Sequence, residues 1–363
     1  MYLPQYHQIL ENDEFWGEGF TDWDTVKKAV PLYDGHYQPQ VPLNDNYYDL
    51  SEKESVKWQA KLANENGIYG FGVYHYWFNN EKNLLTKPAE IIRDNDDITI
   101  NYCLCWDNTN WKRSWSNVSG NDWAPLFDPK EPKPNESQIL IPFILGDEAD
   151  WKNHYNSLSS HFHSKRYIKI WNKPVFCIFN YSKELLPMSE YWNKCAKEDG
   201  FDGVYIIFRS PRKRILPSYM PRYNYEPHAT GWWKPLNLWE RVMRKIHLHQ
   251  QKEQSITYYD YDVLWKKLLN TARKHPEKEL YHGGFVSYDD SPRRGKQKSI
   301  IIRGATPEKF EKYMSELIAI SNLQGKEFLF LTAWNEWGEG AYLEPDTKNG
   351  YDYLKALKKI QVL

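Results

Sequence analysis

The sequence lacks two features that would assign it to a membrane or a nucleic acid. It contains no run of about 18 apolar residues, the length that a membrane-spanning helix needs. It has almost no net charge, because 47 lysines and arginines are balanced by 48 aspartates and glutamates, which leaves −1 at pH 7. Such a balance provides no overall field to attract a polyanion. We therefore expect a soluble folded protein that binds no nucleic acid and has no membrane span.

Cysteine is scarce as well. The four cysteines are Cys103, Cys105, Cys177 and Cys195. The first two are two residues apart in a predicted strand, which is unfavourable for a disulfide and unlike a zinc knuckle. We predict buried free thiols in a reducing, cytoplasmic compartment. Residues 1–7 show no signal-peptide pattern, and a trimmed N-terminus would instead allow a periplasmic or surface location.

Motifs for metals and nucleotides are also missing. No His-Glu-x-x-His pattern occurs, and the glycine pair at 17 and 19 does not lie between a strand and a helix, as a nucleotide-binding loop would. We therefore expect no metal and no cofactor.

Aromatic residues, in contrast, are abundant. They make up 16% of the chain, although the mean hydropathy is only −0.78. Many aromatic rings must therefore lie at polar surfaces. Rigid amphipathic rings in a wet cleft are suited to stacking on sugars, whereas rings spread through a large core would explain the composition equally well.

The order of predicted elements indicates the fold class. Apolar, β-branched and aromatic stretches predict parallel strands that are buried on both faces. They are residues 68–77, 98–106, 174–180, 203–208, 280–287 and 327–333, with weaker candidates at 1–5, 138–144 and 218–226. Helical patterns lie between most of them, at 148–158, 189–199, 261–274 and 306–323. Eight or nine strands alternating with helices favour an α/β fold of the (β/α)8 type over an open sheet.

The chain shows no internal repeat and no linker, so we predict a single catalytic domain over residues 1–363. A (β/α)8 core needs about 250 residues, and the remainder would form long loops between strands and helices. The obvious places for such loops are residues 8–49 and 108–137.

The last predicted strand is followed by a pair of carboxylates. Residues 334–340 read Trp-Asn-Glu-Trp-Gly-Glu-Gly, so Glu336 and Glu339 are three positions apart. In a continuing strand they would face opposite ways, but Gly338 and Gly340 allow a sharp turn that brings both to one cavity. In a barrel, the active site lies at this end of the strands.

Two carboxyls in an aromatic cleft are the groups that most glycoside hydrolases use for cleavage. One protonates the departing oxygen, and the other acts as base or nucleophile. The alternative is structural, since either glutamate could cap the next segment or pair with an arginine such as Arg293. Glu344, before Pro345, is a third carboxylate with a weaker claim.

Five long motifs resemble, in order and spacing, the WbsX-like proteins, a branch related to the glycoside hydrolase family 99 endo-α-mannosidases. The motifs are YLPQYHQILENDEFWGEGFTDWDTVKKAVPLYDGHYQP, GFGVYHYWF, CLCWDNTNWKRSW, GGFVSYDDSPRR and AWNEWGEGAYLEP. They span nearly the whole chain. The resemblance implies a (β/α)8 barrel that acts on an oligosaccharide or polysaccharide.

The resemblance also implies roles for the two glutamates. In the related endo-mannosidases the earlier glutamate acts as a base on the sugar's own 2-hydroxyl, which attacks the anomeric carbon, and the later one is the general acid. Carried over, Glu336 is the base and Glu339 the acid/base. Gly338 stands where those mannosidases carry a histidine, so this position departs from their pattern and leaves the sugar specificity open.

Further residues are candidates for substrate contacts because they lie at predicted strand ends or in the first long loop. They are Tyr2, Gln5, His7, His36, Tyr37, Tyr74, His75, Trp77, Trp106, Asn108, Tyr288, Asp289, Arg293, Trp334 and Asn335. Residues 74–77 alternate in direction, so only some of them can face a site. The alternatives are core packing for the tryptophans, hydrogen bonding within the fold for the histidines, and a salt bridge between the Asp289–Asp290 pair and Arg293.

Two enzyme hypotheses follow. The first is a retaining, endo-acting glycoside hydrolase that cleaves a bacterial surface polysaccharide or an α-mannose-like glycan. The second is a glycosyltransferase of lipopolysaccharide O-antigen or capsule biosynthesis, although the missing nucleotide loop favours the hydrolase. A carbohydrate-binding protein without catalysis would lack one glutamate of the pair, and both are present.

Overall fold

The structure is a computed structural model that describes residues 1–112, 139–211, 216–233, 256–296 and 299–361. Most of the predicted loop 108–137 and the end of the third motif lie outside these residues. The described chain forms two compact units. The first unit comprises the described residues within 1–21, 48–113 and 137–223, and the second unit comprises the others.

The first unit is built on a parallel sheet. Its strands are β1 Gly70–Asn79, β2 Lys82–Leu84, β3 Asn101–Trp106, β4 Trp111–Lys112, β5 Ile139–Ile141, β6 Lys169–Ile170, β7 Lys173–Ile178, β8 Tyr205–Arg209 and β9 Arg222–Tyr223. Strands β1, β3, β7, β8 and β9 pair in parallel in this order. Strands β2 and β6 add antiparallel to β1 and β7. The predicted first strand is a single parallel bridge between Tyr2 and Val73.

Helices connect the strands of the first unit. They are Leu10–Trp16, Lys53–Glu65, Lys87–Asp94, Glu148–His163 and Leu185–Glu198. The helix from Glu148 begins at a capping box, because the Asp147 side chain accepts from the backbone of Ala149 and Asp150 and Asp150 returns the contact. Strands β3 and β7 are buried along all but their first residue, as strands covered on both faces should be.

The second unit also alternates strands and helices. Its strands are β10 Thr257–Asp260, β11 Leu280–Tyr281, β12 Gly283–Phe285, β13 Ile300–Arg303, β14 Phe330–Thr332, β15 Asn335–Glu336 and β16 Ala341–Tyr342. Its helices are Asp22–Lys27, Tyr261–Lys274, Ser291–Arg294, Pro307–Leu323 and Asp352–Gln361, with shorter 3-10 or π turns at Leu43–Asp45, Ala229–Trp233 and Trp337–Glu339. Strand β10 pairs in parallel with β13, and β12 with β14.

Stacked aromatic rings hold the helices of the second unit to β12. The buried Trp265 ring packs on Phe285 at 5.0 Å between centroids and on Tyr313 at 5.7 Å, in both cases nearly parallel. These contacts join the helices Tyr261–Lys274 and Pro307–Leu323 to the strand beside β14. The strand that leads into the predicted catalytic turn is thereby supported by a rigid core.

Most predicted elements are confirmed, some with shifted ends. Helix 261–274 is confirmed at both ends. The predicted cap Thr306 is also confirmed, because its side chain accepts a hydrogen bond from Lys309 N at the start of the helix Pro307–Leu323. The prediction of a barrel strand at 138–144 is wrong, because β5 is a short antiparallel partner of β4 and its Ile139 is 40% exposed. The predicted loop 8–49 contains the short helices Leu10–Trp16 and Asp22–Lys27.

No helix within the described ranges is long and apolar enough to cross a membrane.

Candidate active site

The two glutamates lie on a tight reversal of the chain. Strand β15 ends at Glu336, a 3-10 turn covers Trp337–Glu339, and β16 returns antiparallel, with Glu336 opposite Ala341. Gly340 closes the turn in the left-handed region at φ 55°, which glycine adopts without strain. A Cβ there would also lie 3.0 Å from the Asp289 side chain. The predicted glycine turn therefore brings Glu336 and Glu339 close to each other.

Both carboxyls reach one buried guanidinium. Arg293, which is 1% exposed, places Nη1 2.7 Å from Glu339 Oε1 and Nη2 3.5 Å from Glu336 Oε2. The same Nη2 lies 3.0 Å from Asp22 Oδ2. Arg293 belongs to the helix Ser291–Arg294, and Asp22 is the first residue of the helix Asp22–Lys27. Three carboxylates, two from the glutamate turn and one from the helix Asp22–Lys27, thus share one arginine.

The electrostatics differ between the members of this cluster. Burial raises the pKa of the Glu339 carboxyl, and Asp22 raises it further, whereas Arg293 and Arg294 act in the opposite direction. The net result is a pKa above the ordinary value for glutamate. A carboxyl that keeps its proton further up the pH scale is suited to donate it to a leaving group. Glu336 is almost fully buried, with a side chain 4% exposed, whereas that of Glu339 is 13% exposed.

The neighbouring acidic pair does not form the salt bridge with Arg293 that we considered from the sequence. Asp290 Oδ2 lies 2.8 Å from Arg294 Nε, and Asp290 Oδ1 accepts from Ile300 N. Burial raises the pKa of Asp290 to about 7 in spite of these contacts. Asp289 accepts instead from Gln38 and contacts His36, and Arg293 takes Asp22 as its partner. The alternative that Arg293 pairs with a glutamate is observed, for both glutamates.

A second set of contacts, centred on Trp337, supports the turn. The Trp337 ring stacks on Tyr342 with centroids 3.7 Å apart, and its Nε1 donates to Glu344 Oε2 at 2.7 Å. The Trp23 ring also packs on Trp337, with centroids 5.7 Å apart and the planes tilted by 52°. Glu344 is therefore occupied in orienting Trp337, which agrees with its weaker claim to a chemical role.

Gly338 is required by close packing. A Cβ at this position would lie 2.7 Å from Arg293 Nε and 2.8 Å from Asp22 Oδ2. Real Cβ atoms do not tolerate such distances, so a side chain here would displace the ion pair. A side chain at this position therefore requires the Asp22–Arg293 contact to shift from its present geometry.

The first-loop candidates also belong to the second unit. His36 Nδ1 accepts from Leu32 N, and its Nε2 lies 2.7 Å from Asp289 Oδ2. The Tyr37 hydroxyl contacts the Thr347 hydroxyl at 2.9 Å. These contacts hold the loop in place, and those of His36 agree with the alternative of hydrogen bonding within the fold. Substrate binding by either residue stays a prediction.

The other second-unit candidates lie close to the glutamates. The buried Tyr288 hydroxyl is 3.4 Å from Asp290 Oδ2, and burial raises its pKa well above the ordinary value. Asn335 is fully buried and pairs with Tyr342 across β15 and β16. The Trp334 carbonyl accepts from Leu343 N. The second unit thus brings together Glu336, Glu339, Arg293 and their neighbours.

The remaining candidates lie in the first unit, and three of them surround one histidine. His154 stacks on Trp77 at 4.4 Å and on His75 at 5.1 Å, and it meets the Trp106 ring edge-on at 4.7 Å. Trp106 Nε1 donates to the Trp77 carbonyl. Burial lowers the pKa of His75 to about 3 and that of His154 well below its usual value. Because His154 is on a covering helix, His75 and Trp77 lie on the helix-facing side of β1.

The other first-unit candidates have polar partners of their own. The Tyr2 hydroxyl donates to Gln59 at 2.6 Å, and Gln5 Nε2 donates to the Tyr76 hydroxyl at 3.0 Å. Tyr74 lies beside Tyr76, with ring centroids 6.5 Å apart. The roles of Tyr2, Gln5 and Tyr74 in substrate binding stay predictions.

Two further first-unit candidates are His7 and Asn108. Burial lowers the pKa of His7. Asn108 exchanges two backbone contacts of 2.8 Å with Asn180, since its amide donates to the Asn180 carbonyl and its oxygen accepts from Asn180 N. Both side chains are buried. Their substrate roles also stay predictions.

Sequence reasoning missed one member of the charge cluster. Asp22 is 271 positions from Arg293, and nothing in its local pattern marks it as a buried ion-pair partner. Its position inside the first long motif was the available signal. Buried carboxylates need a charged partner, but a single sequence does not reveal which arginine that partner is.

Cysteine behaves as predicted in one respect and differently in another. All four cysteines are free and buried. The Sγ atoms of Cys103, Cys105 and Cys177 lie within 4.8 Å of one another, because Cys105 and Cys177 are paired across β3 and β7 and Cys103 is on the same face as Cys105. The spacing along the sequence did not indicate this group of three.

Comparison with solved structures defines the class of fold. The chain is similar to a glycoside hydrolase-like protein at a TM-score of 0.55 and 13% identity, over 94% of this chain and 99% of that one. It is also similar to the family 99 endo-alpha-mannosidase from Bacteroides thetaiotaomicron at a TM-score of 0.52 and 13% identity, over 100% of this chain and 97% of that one. The fold is therefore α/β and TIM-barrel-like.

Comparison of sequences then identifies the family. The family described as Glycosyltransferase WbsX matches residues 1–357, so the chain belongs to the WbsX family, as its motifs predicted. The chain is similar to the protein WxcX, described as uncharacterized, from two strains of Xanthomonas campestris pv. campestris, at 28% and 27% identity over 99% of this chain. It spans about half the length of these curated relatives, since the alignments cover 48% of each.

Proposed function

We propose that the chain is a retaining, endo-acting glycoside hydrolase with a single (β/α)8 barrel domain and the catalytic residues Glu336 and Glu339. The observation that carries the proposal is the shared contact of both carboxyls with Arg293, at 3.5 and 2.7 Å, on one glycine-closed turn. Two carboxyls with different surroundings can divide the acid and base roles between them.

Glu339 is assigned as the acid/base. Burial holds its pKa above the ordinary value, so a larger fraction carries the proton that the departing glycosidic oxygen needs. After the leaving group departs, the same carboxylate accepts a proton from the incoming water. Its side chain is also the more exposed of the two, which suits contact with both leaving group and water.

Glu336 is assigned as the base. It would take the proton of the sugar's 2-hydroxyl while that oxygen attacks the anomeric carbon, and would return the proton when water opens the intermediate. Its contact with Arg293 at 3.5 Å places a cation beside the carboxyl group that this role requires. No metal or cofactor takes part in the proposed steps.

The proposed substrate is a bacterial surface polysaccharide or an α-mannose-like glycan. The family 99 neighbour is named an endo-alpha-mannosidase, which supports a glycan substrate. Gly338 departs from the mannosidase motif and packs against the Asp22–Arg293 pair, so the proposal leaves the identity of the sugar at the site open. The free buried thiols fit a reducing compartment, and a cytoplasmic location belongs to the proposal.

The second candidate is a glycosyltransferase of surface polysaccharide synthesis, and the printed name of the family favours it. Metal-dependent transferases use Asp-x-Asp carboxylates, and such triplets occur at 22–24, 94–96 and 260–262. One aspartate of each triplet already pairs with a cation. The pairs are Asp22 with Arg293, Asp94 with Arg93, and Asp262 with Lys309. These contacts favour the hydrolase.

The test is release of reducing ends from a panel of α-mannans and bacterial surface polysaccharides, with no nucleotide sugar added. We expect release by the wild type and losses of about 10²-fold or more in Glu336→Gln and Glu339→Gln, because each removes a proton-transfer group. Glu327→Gln is the matched control, since Glu327 is an exposed glutamate just before β14 and outside the charge cluster. The control should retain wild-type release.

Two outcomes would contradict the proposal. Products that form only when a nucleotide-activated sugar is supplied would establish the transferase instead. Equal activity of wild type and both glutamine variants on a cleaved substrate would remove the pair from the chemistry.

A further inference from the structure

Next to the glutamate turn, the second unit contains a separate cavity with a volume of about 290 Å³. Gly340 and Asp289 form part of its wall, and Asp289 N donates to the Glu339 carbonyl at 2.7 Å. The cavity is therefore a direct neighbour of the proposed acid/base. Its size lies near the lower limit for ligand pockets, about 300 Å³, and suits one sugar ring better than a chain of them.

Two cations without carboxylate partners flank this cavity. Arg303 is exposed at the end of β13, and its guanidinium lies 3.5 Å from the Tyr258 ring centroid and 4.3 Å from that of Tyr33. Lys348 is exposed, with its ammonium 5.0 Å from the Tyr37 ring. Among the described residues neither cation contacts a carboxylate, in contrast to Arg273, Arg293 and Arg294 of the same unit. Both have hydrogen-bond donors left for an anion.

The two carboxylates that line the cavity already have partners. Asp289 is contacted by His36 and Gln38, both through Oδ2 at 2.7 and 2.8 Å. Asp346 accepts from the Tyr342 hydroxyl at 2.8 Å and from the Asn349 amide at 3.1 Å. Both carboxylates are thus held by groups of the fold, whereas the donors of Arg303 and Lys348 face no carboxylate among the described residues.

The wall also contains an acceptor that lacks a donor. Gln40 is 8% exposed, and its Oε1 is buried with no hydrogen-bond partner among the described residues. An unsatisfied buried carbonyl oxygen is energetically costly, so a ligand that donates a hydrogen bond to it is favoured. A sugar hydroxyl is a donor of the required kind. Tyr37 adds an aromatic ring to the wall, whereas the Tyr33 ring is already stacked on His36 with centroids 4.5 Å apart.

We propose that this cavity binds a carboxylate-bearing sugar residue, a hexuronate, with Arg303 and Lys348 holding the carboxylate and Gln40 accepting from a ring hydroxyl. The proposal rests on the proposed function in one respect, because it makes the polysaccharide cleaved by Glu336 and Glu339 an acidic one. The guanidinium edge matches a carboxylate bidentately, which a neutral hexose cannot reproduce.

The test measures binding rather than cleavage, so that it remains informative if no polysaccharide is hydrolysed. Saturation-transfer NMR titrations of the full chain would compare D-glucuronate, D-galacturonate and D-mannuronate with the corresponding neutral hexoses. We expect at least one hexuronate to bind about tenfold more tightly than its neutral partner, because hydrogen bonds to charged groups are the stronger ones. The difference should shrink as salt is added.

Variants locate the binding. Arg303→Gln and Lys348→Gln should each weaken hexuronate binding several-fold and leave neutral hexose binding unchanged. Arg273→Gln is the matched control, since Arg273 is an exposed arginine of the same unit on the helix Tyr261–Lys274, away from the cavity, and it should bind as the wild type does. Methyl D-glucuronate, the uncharged ester, tests the same contact without changing the protein and should bind as weakly as glucose.

Equal binding of hexuronate, ester and hexose would overturn the proposal, as would a hexuronate preference that survives in Arg303→Gln and Lys348→Gln together. Failure of the hydrolase proposal would look different. In that case hexuronate binding would depend on Arg303 and Lys348 as expected, while no polysaccharide released reducing ends.

Discussion

At the scale of single residues, the decisive feature is the charge balance around Arg293 and Arg294. Four carboxyl groups, those of Asp22, Glu336, Glu339 and Asp290, lie beside two guanidiniums. Full ionisation would leave two uncompensated negative charges in a buried cluster, which is costly. The pKa is raised at Glu339 and at Asp290. Both shifts oppose full ionisation of the cluster.

This balance predicts the effect of Asp22 on the pH dependence of catalysis. Asp22 raises the pKa of Glu339, so Asp22→Asn should lower it. Because Glu339 acts in its protonated form, the decline of kcat/KM on the alkaline side should then begin at a lower pH. The measurement is the pH profile of kcat/KM on a cleaved polysaccharide, with Asp24→Asn, at a more exposed aspartate of the same helix, as the control. An unchanged or upward-shifted alkaline limb would contradict the assignment of Glu339.

Arg293 carries a prediction for stability. Arg293→Met leaves Asp22 and the two glutamates without their shared cation, and breaking a buried pair costs about 3–5 kcal/mol of unfolding free energy. Urea unfolding at neutral pH measures the change. Arg273→Met, at an arginine that is half exposed on a helix, should cost less than about 1 kcal/mol. Equal losses in the two variants would mean that the cluster contributes no more than a surface pair.

At the scale of elements, the reversal from β15 through the 3-10 turn to β16 decides the geometry of the site. The antiparallel pairing of Asn335 with Tyr342 and of Glu336 with Ala341 sets the register, and the Trp337–Tyr342 stack stabilises it. Glu336 lies in the strand and Glu339 in the turn, so their surroundings differ although they are three positions apart.

Gly338 provides a test of this element. Gly338→Ala places a methyl group 2.7 Å from Arg293 Nε and 2.8 Å from Asp22 Oδ2, so the ion pair must shift. We expect a loss of about 1–3 kcal/mol in unfolding free energy and a fall in kcat, with larger effects for Gly338→His. Gly231→Ala is the matched control, because a Cβ there meets only ordinary contact at 3.8 Å. A Gly338→Ala variant as active and stable as that control would show that the turn tolerates a side chain.

At the scale of the whole molecule, buried neutral histidines couple folding to pH. Burial lowers the pKa of His75 to about 3 and that of its hydrogen-bonded neighbour His154 well below the ordinary value. Below pH 6.5 these two histidines bind protons in the unfolded chain but remain neutral in the folded chain. The stability contributed by these neutral rings is therefore complete above pH 6.5 and is lost as the pH falls towards 3.

The measurement is the free energy of unfolding by urea between pH 7 and pH 4. Each histidine should contribute a slope of up to about 1.4 kcal/mol per pH unit, with stability falling towards acid pH. His75→Gln should flatten the curve, whereas His275→Gln, at an exposed histidine, should leave its slope unchanged. A wild-type curve that is flat over this range would mean that the two rings accept protons in the folded state.

Local patterns were sufficient for most of the longer strands and helices of the fold. The helix Tyr261–Lys274 and the strands around residues 68–77 and 98–106 follow from periodicity, capping and uninterrupted apolar runs, which are properties of neighbouring residues. The residues 138–144 were misassigned because apolar runs in a hairpin and in a buried parallel strand look alike from sequence alone.

The sequence by itself determined the family, the glutamate pair and the glycine turn between them, because these features lie within single motifs. Only the tertiary structure decided that Asp22 and Arg293 complete the pair, that His75 and Trp77 pack around His154, and that Gln40 and Arg303 line one cavity. The physical reason is distance along the chain. Local propensity acts over a few residues, whereas a buried charge or an unpaired amide is satisfied by whichever segment the fold brings beside it.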